Sequence, residues 1–135
     1  MERRISSNLI NELAEGEVFV FGSNLAGHHG GGAALQAWRK WGAEWGQGVG
    51  LHGRTYAIPT MHGGPSVIKP YVDAFIDFAA GHPELRFLVT EIGCGIAGFT
   101  PEDIAPLFAR AAGLDNVFLP ARFWDVLEAE EGGAL

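Results

Sequence analysis

The sequence predicts an α/β fold in a single domain, and three observations predict it. Short, continuous apolar runs recur along the chain: Val18-Phe19-Val20-Phe21, Thr55-Tyr56-Ala57-Ile58-Pro59, Phe87-Leu88-Val89-Thr90 and Asn116-Val117-Phe118-Leu119-Pro120. Helical patterns lie between them, the arrangement of a sheet whose strands are buried on both faces. Two of the runs open into glycine-rich loops, one from Gly22 to Gly32 and one from Ile92 to Phe99. Ligands of open α/β sheets sit outside the carboxyl ends of the strands. The loops beginning at Gly22, Thr60 and Glu91 are therefore expected to converge on one cleft.

Composition bounds the rest. At 135 residues the chain is of ordinary single-domain size, spanning residues 1–135, and can bury a real core. Apolar residues make up 47%, yet the runs are too short for a bilayer, so no membrane partner is expected. Met1-Glu2-Arg3-Arg4 leads into a polar segment rather than a signal peptide. The single cysteine, Cys94, excludes an internal disulfide and suits a reducing compartment, so a cytoplasmic location is expected. A formal charge of −7 argues against general nucleic-acid binding but is compatible with one small anionic ligand. The Glu128-Ala129-Glu130-Glu131 run reads as a solvated helix face or a frayed tail.

In chain order, Ser6 to Glu15 is expected to be a short amphipathic helix, with Leu9, Ile10 and Leu13 on one face and Gly16 ending it. The first apolar strand follows. A helix is then expected from about Gly31 to Trp45, where Leu35, Trp38, Trp41 and Trp45 recur at helical spacing. Its tryptophans suit a core or an oligomer contact better than a ligand platform. Gly46 to Gly53 reads as a glycine-rich connection, and Thr55 to Pro59 as a strand ended by its proline. After the loop Thr60-Met61-His62-Gly63-Gly64-Pro65, Ser66 is expected to cap a helix reaching Ala80, with Pro70 in its first turns. Beyond the strand at Phe87 to Thr90 and the second glycine loop, Thr100-Pro101-Glu102-Asp103 carries the marks of a helix start. Asn116 to Pro120 is the last strand, and Phe123 to Glu130 a terminal helix.

The first glycine loop carries the chemistry. Gly30-Gly31-Gly32 at a loop-to-helix junction lets backbone N–H groups approach a ligand with no Cβ in the way. The helix N-terminus beyond adds unpaired donors and the positive end of the dipole, which together favour phosphate. The P-loop pattern fails because no Gly-Lys-Ser/Thr follows, and the dinucleotide fingerprint fits poorly because the glycines lie well past the strand end. Asn24 could hydrogen-bond a ribose or a reacting group, or simply shape the loop as an Asx-turn. Two glycine loops on one cleft point to a ligand with two phosphates, a diphosphate-linked nucleotide being the natural candidate.

Asn24, the Gly30-Gly31-Gly32 loop and Gly93-Cys94-Gly95-Ile96-Ala97-Gly98-Phe99, in that order, resemble the macrodomain (ADP-ribose-binding) superfamily. Ile92-Gly93-Cys94-Gly95-Ile96 is similar to the branch containing terminal ADP-ribose glycohydrolases and DNA-ADP-ribosyl hydrolase antitoxins. The segment from Val18 to Pro120 also resembles small, uncharacterised macrodomain-like proteins of bacteria and their phages. The resemblance implies a three-layer α/β/α fold with a mixed, largely parallel sheet. It implies that Gly31, Gly32 and Ala33 present N–H groups to one phosphate. Gly95, Ile96, Ala97 and Gly98 would wrap the other phosphate and the distal ribose, which Asn24 would contact. Phe99 would line the sugar end and Phe123 could stack on the base, while Gly22, Gly30, Gly93 and Cys94 complete the expected ligand-binding set.

The chain departs from hydrolytic relatives at three places. An acid follows the glycine triplet in hydrolytic macrodomains, where this chain has Ala33-Ala34. The glycohydrolase branch places a lysine where this chain reads Thr60-Met61-His62, and an acid where Ala97 stands. The leading expectation is thus a module that binds ADP-ribose or a related nucleotide, free or on a macromolecule, with weak hydrolase activity at most and no cofactor. The alternative is an ADP-ribosyl or phosphoester hydrolase with His29 or His62 as the catalytic group and Asn24 orienting substrate or water. A metal site built from His28, His29, His52 and His62 lacks any supporting ligand spacing. An oligomer contacting through the tryptophan-rich helix, with a vestigial cleft, is the fourth alternative.

Overall fold

The computed structural model describes the backbone of residues 2–133 and the side chains of residues 2–130, so Met1 and the Glu131 side chain of the acidic run lie outside the described residues. In chain order the elements are β1 (Ile5–Ser6), β2 (Glu17–Ser23), α1 (Gly32–Trp41), β3 (Gly50–His52), β4 (Thr55–Pro59) and α2 (Pro65–Ala80). There follow β5 (Arg86–Val89), α3 (Pro101–Ile104) running into a 3-10 segment (Ala105–Gly113), β6 (Val117–Pro120) and α4 (Ala121–Gly133). The six strands form one mixed sheet in the order β1-β6-β5-β2-β4-β3. Every pairing is parallel except β3 with β4.

Alternation along β2 explains why both faces are covered. Val18 and Val20 face a core built with Ile68, Val72 and Phe75 of α2, Phe108 of the 3-10 segment and Trp124 of α4. Phe19 and Phe21 face the opposite way, onto Ala37 and Trp41 of α1. All four β2 residues are buried, as a strand with helices on both sides requires.

Several expectations are corrected. Ser6 to Glu15 is not helical: Ile5 and Ser6 pair with Leu119 and Pro120 as an edge strand, and irregular chain follows. That chain is held from outside itself, by Gln36 Nε2 donating to the Ile10 carbonyl, Lys40 Nζ to Asn11 and Arg54 Nη2 to Leu13 and Ala14. Helix α1 stops at Trp41, because Gly42 takes a left-handed φ of 89° and its N–H closes on the Ala37 carbonyl. Trp45 therefore lies on the following loop, edge-on to Trp38 at 5.1 Å, and these two tryptophans stay 50% and 42% exposed while Trp41 is buried. The connection from Gly46 to Gly53 contains β3. The N-cap of α2 is Gly64 with Pro65 behind it, rather than Ser66, and Pro70 lies inside the helix.

Thr100 caps α3 as expected: its side chain accepts the Asp103 N–H while the Asp103 carboxylate accepts the Thr100 N–H. No helix among the described residues is long and apolar enough to cross a membrane.

Candidate functional site

Strand order places the site. From β2 the chain proceeds to β4 on one side, then crosses to β5 on the other, so the connections leaving β2 and β5 diverge. A crevice opens at their carboxyl ends, as at any such switch point. It forms a cleft of about 380 Å³ lined by the loops after β2, β4 and β5, including Asn24, Gly31, Gly32, Thr60, Gly93 and Gly95. The three expected loops do converge.

Two sets of unpaired backbone N–H groups belong to residues that line this cleft. Helix α1 has no side-chain cap and no acid in its first turn. Its first closed hydrogen bond runs from Leu35 N–H to the Gly31 carbonyl, at 3.2 Å, so Gly32, Ala33 and Ala34 offer their N–H groups outside the helix ladder. On the other side the second glycine loop closes through Cys94 N–H to Glu91 O, Gly98 N–H to Gly95 O and Phe99 N–H to Gly93 O. The N–H groups of Gly95, Ile96 and Ala97 take no part in that closure. A Cβ added at Gly30, Gly31 or Gly95 would meet nothing within 4 Å. The glycines border open space rather than packed chain.

Close approach of a sequence-distant segment shapes the first loop. A Cβ on Gly48 would stand 2.0 Å from the Asn24 carbonyl oxygen, and one on Gly27 would stand 2.3 Å from Gln47 N. The Ser23 hydroxyl donates to the Gly48 carbonyl, and Gly46 N–H donates to Gly27 O at 2.9 Å. Asn24 turns its side chain inward on the loop: Oδ1 accepts His28 N–H at 2.9 Å and Nδ2 donates to His28 O at 3.0 Å. The Asx-turn role is thus present, and each polar atom of that amide already holds one hydrogen bond within the loop.

Two expected site residues are corrected. His29 is fully buried, edge-on to Phe21 and Trp45, and its Nε2–H donates to the Glu44 carbonyl at 2.9 Å. It does not line the cleft, so it cannot serve there as acid or base. Phe123 is likewise fully buried, tilted against Phe108 in the core, and cannot stack on a base. Phe99 is half-buried and packs against that core. His28 lines the cleft and stacks on Trp45 at 5.6 Å. His62 is exposed on the loop after β4, with Nε2 accepting Leu25 N–H at 2.8 Å.

Cys94 is half-buried, and burial, with the Glu91 charge behind it, pushes its thiol up to about 11. A protonated thiol is a poor nucleophile. Among the described residues no group of three His, Cys, Asp or Glu side chains is placed to hold a metal ion.

Sequence reasoning did not single out Thr60, Glu91 or Arg122 as site residues. Thr60 is 4% exposed on the cleft floor, its hydroxyl 3.2 Å from where a Gly22 Cβ would lie. Glu91 takes Arg122 Nε at 2.6 Å on one oxygen and Nη2 at 2.8 Å on the other. That pairing holds its carboxyl below the usual range. The available signal was position: each of these residues follows the end of a strand closely.

A second cavity of about 260 Å³ adjoins the cleft and shares Ala33, Thr90 and Glu91 with it. Its other walls include Ser7, Asn8, Gln36 and Phe19. A separate groove of about 480 Å³ between α3 and α4 is lined by Glu102, Asp125 and Glu130 together with Arg122, whose guanidinium is already paired with Glu91. No protein-family model, curated protein or solved structure matches this chain.

Proposed function

We propose that the protein is a macrodomain-like module that binds ADP-ribose or a related diphosphate nucleotide in the cleft between the two glycine loops. The observation that carries this is that two stretches with unpaired N–H groups, Gly32 to Ala34 and Gly95 to Ala97, line one crevice at the ends of β2 and β5. Backbone N–H groups and a helix N-terminus hold phosphate without formal positive charge, which suits a chain carrying a net −7. The adjoining cavity offers space for the nucleoside. Cleft and cavity together fall within the range of about 300–1,000 Å³ common for small-molecule sites. Exposed apolar side chains at the cleft, Ile96 at 90% and Met61 at 46%, would lie against the ligand's uncharged parts.

The groups that cleave such ligands are missing from the expected places, so binding is the principal activity in this proposal. Calorimetric titration with ADP-ribose, ADP, NAD and AMP tests it. Gly31 has an extended φ of −160° and open space beyond its Cα, so Gly31→Glu should fold normally while placing a carboxylate where phosphate belongs. ADP-ribose should bind the parent protein and lose at least about tenfold in affinity to that variant. Undiminished affinity in a folded Gly31→Glu would remove the diphosphate from this cleft.

A further inference from the structure

The junction between the cleft and the second cavity holds one kind of chemistry that neither phosphate nor base requires. Glu91 lines both spaces, and no other carboxylate among the described residues lines either. Its two oxygens are each engaged by Arg122, which enters from the first turn of α4, so the carboxylate is held in one orientation. Each oxygen keeps a further acceptor direction, because a carboxylate offers about four lone-pair sites. The side chain is 27% exposed, so those directions are not sealed by packing.

An ionised carboxylate repels phosphate and accepts hydrogen bonds only from donors. In a diphosphate nucleotide the group between phosphates and base is a sugar with two adjacent hydroxyls, which are donors. Resting on the nucleotide proposal above, we infer that Glu91 is a specificity residue that accepts the ribose hydroxyls at this junction, with Arg122 as its positioning residue, so that the site selects a ribonucleotide with a free 2′-hydroxyl. The same physics lets an acidic side chain accept a ribose 2′-hydroxyl and refuse a 2′-phosphate in other nucleotide sites.

The competing explanation is a surface ion pair that only ties the loop after β5 to α4. A tie of that kind, when broken, would weaken all ligands alike. The test is therefore a ratio. ADP, 2′-deoxy-ADP and ADP carrying a 2′-phosphate are titrated calorimetrically into the parent protein, Glu91→Gln and Arg122→Lys, with melting temperatures in parallel. The parent should prefer ADP over both analogues by about tenfold. Glu91→Gln should bring ADP and its 2′-phosphate within about threefold by removing the charge that repels the phosphate, while the preference over 2′-deoxy-ADP falls less because the amide oxygen still accepts a hydroxyl. Arg122→Lys should fall between parent and Glu91→Gln. A parent that binds the three alike, or a rejection of the 2′-phosphate that survives Glu91→Gln, overturns the assignment and leaves the nucleotide proposal standing. A parent that binds none of them, nor ADP-ribose, overturns both.

Discussion

The Nε2–H of His29 donates to the carbonyl of Glu44 at 2.9 Å, joining the first glycine loop to the segment that follows α1. Its Nδ1 is buried without a partner, so the bond to Glu44 is the ring's single hydrogen bond. His29→Ala should therefore act on stability rather than on chemistry. Removing a fully buried ring between Phe21 and Trp45 should cost about 2–4 kcal/mol, read as a fall in melting temperature. ADP-ribose affinity measured well below that temperature should change by less than about threefold. A variant that melts like the parent but loses an activity would restore His29 to the site.

Gly48 and Gly30 make a paired test of what shapes that loop. Alanine at position 48 would drive a methyl into the Asn24 carbonyl, a backbone atom that cannot step aside, whereas at position 30 it meets open space. Gly48→Ala should lose about 2 kcal/mol or more, with Gly30→Ala close to the parent. Chemical denaturation of the two variants side by side measures the difference. Equal stabilities would mean that Gly48 and the Asn24 carbonyl do not lie in close contact.

How far the sequence was legible follows from the same contacts. Strands β2, β4, β5 and β6 were readable because burial on both faces demands unbroken apolar runs, and Val18 to Phe21 supplies one. Strand β3 was not. It is three residues long, lies at the sheet edge and sits among Gly48, Gly50 and Gly53, which read as loop. Leu9, Ile10 and Leu13 imitate a helical stripe, yet side chains from α1 and from Arg54 hold that segment irregular. At the site, the glycine loops announced themselves by composition. His29 looked polar because the segment that buries it follows α1, and the Glu91–Arg122 pair spans 31 residues and meets only because β5 lies beside β6.

The Glu91–Arg122 pair also gives stability a pH dependence of known sign. Arg122 holds the Glu91 carboxyl below its ordinary value, so the folded state releases that proton more readily than the unfolded chain. The pair's contribution is fully present above the ordinary carboxylate range, about 4.3, and is lost as pH falls through the lower folded value. The difference in melting temperature between the parent and Glu91→Gln should be constant near neutrality and shrink below about pH 4. A difference that grows on acidification would contradict the pairing.

Cys94 should be a quiet thiol. With its ionisation pushed up to about 11 by burial and the Glu91 charge, little thiolate exists at neutral pH. Alkylation at pH 7.5 should be slow in the folded protein and fast once denaturant exposes the residue. Cys94→Ser should retain ADP-ribose binding, since the side chain packs against the core, with only a weak sulfur contact to the Ile92 carbonyl at 3.7 Å. Rapid labelling of the native state would assign this cysteine a reactive role.

Turnover of ADP-ribosylated protein or DNA should be slow compared with an active macrodomain hydrolase. Cleavage at the distal ribose needs an attacking group or a placed acid/base, and the expected positions hold Met61, Ala97 and Ala33-Ala34. Of the two histidines first considered, His29 is sealed in the interior, and His62 uses Nε2 to accept Leu25 N–H. Asn24 has no titratable proton, and its amide is engaged by His28. Glu91, the remaining cleft carboxylate, is held ionised by Arg122, which makes it a weak base and no proton donor at neutral pH. General acid–base assistance is commonly worth about 10²–10⁴ in rate, so its absence is readily measured. Mono-ADP-ribosylated protein and DNA should release ADP-ribose at rates that His62→Ala leaves within about threefold. Fast release that disappears in His62→Ala would replace the binding module with a histidine-assisted hydrolase, and disappearance in Glu91→Gln would make that carboxylate catalytic.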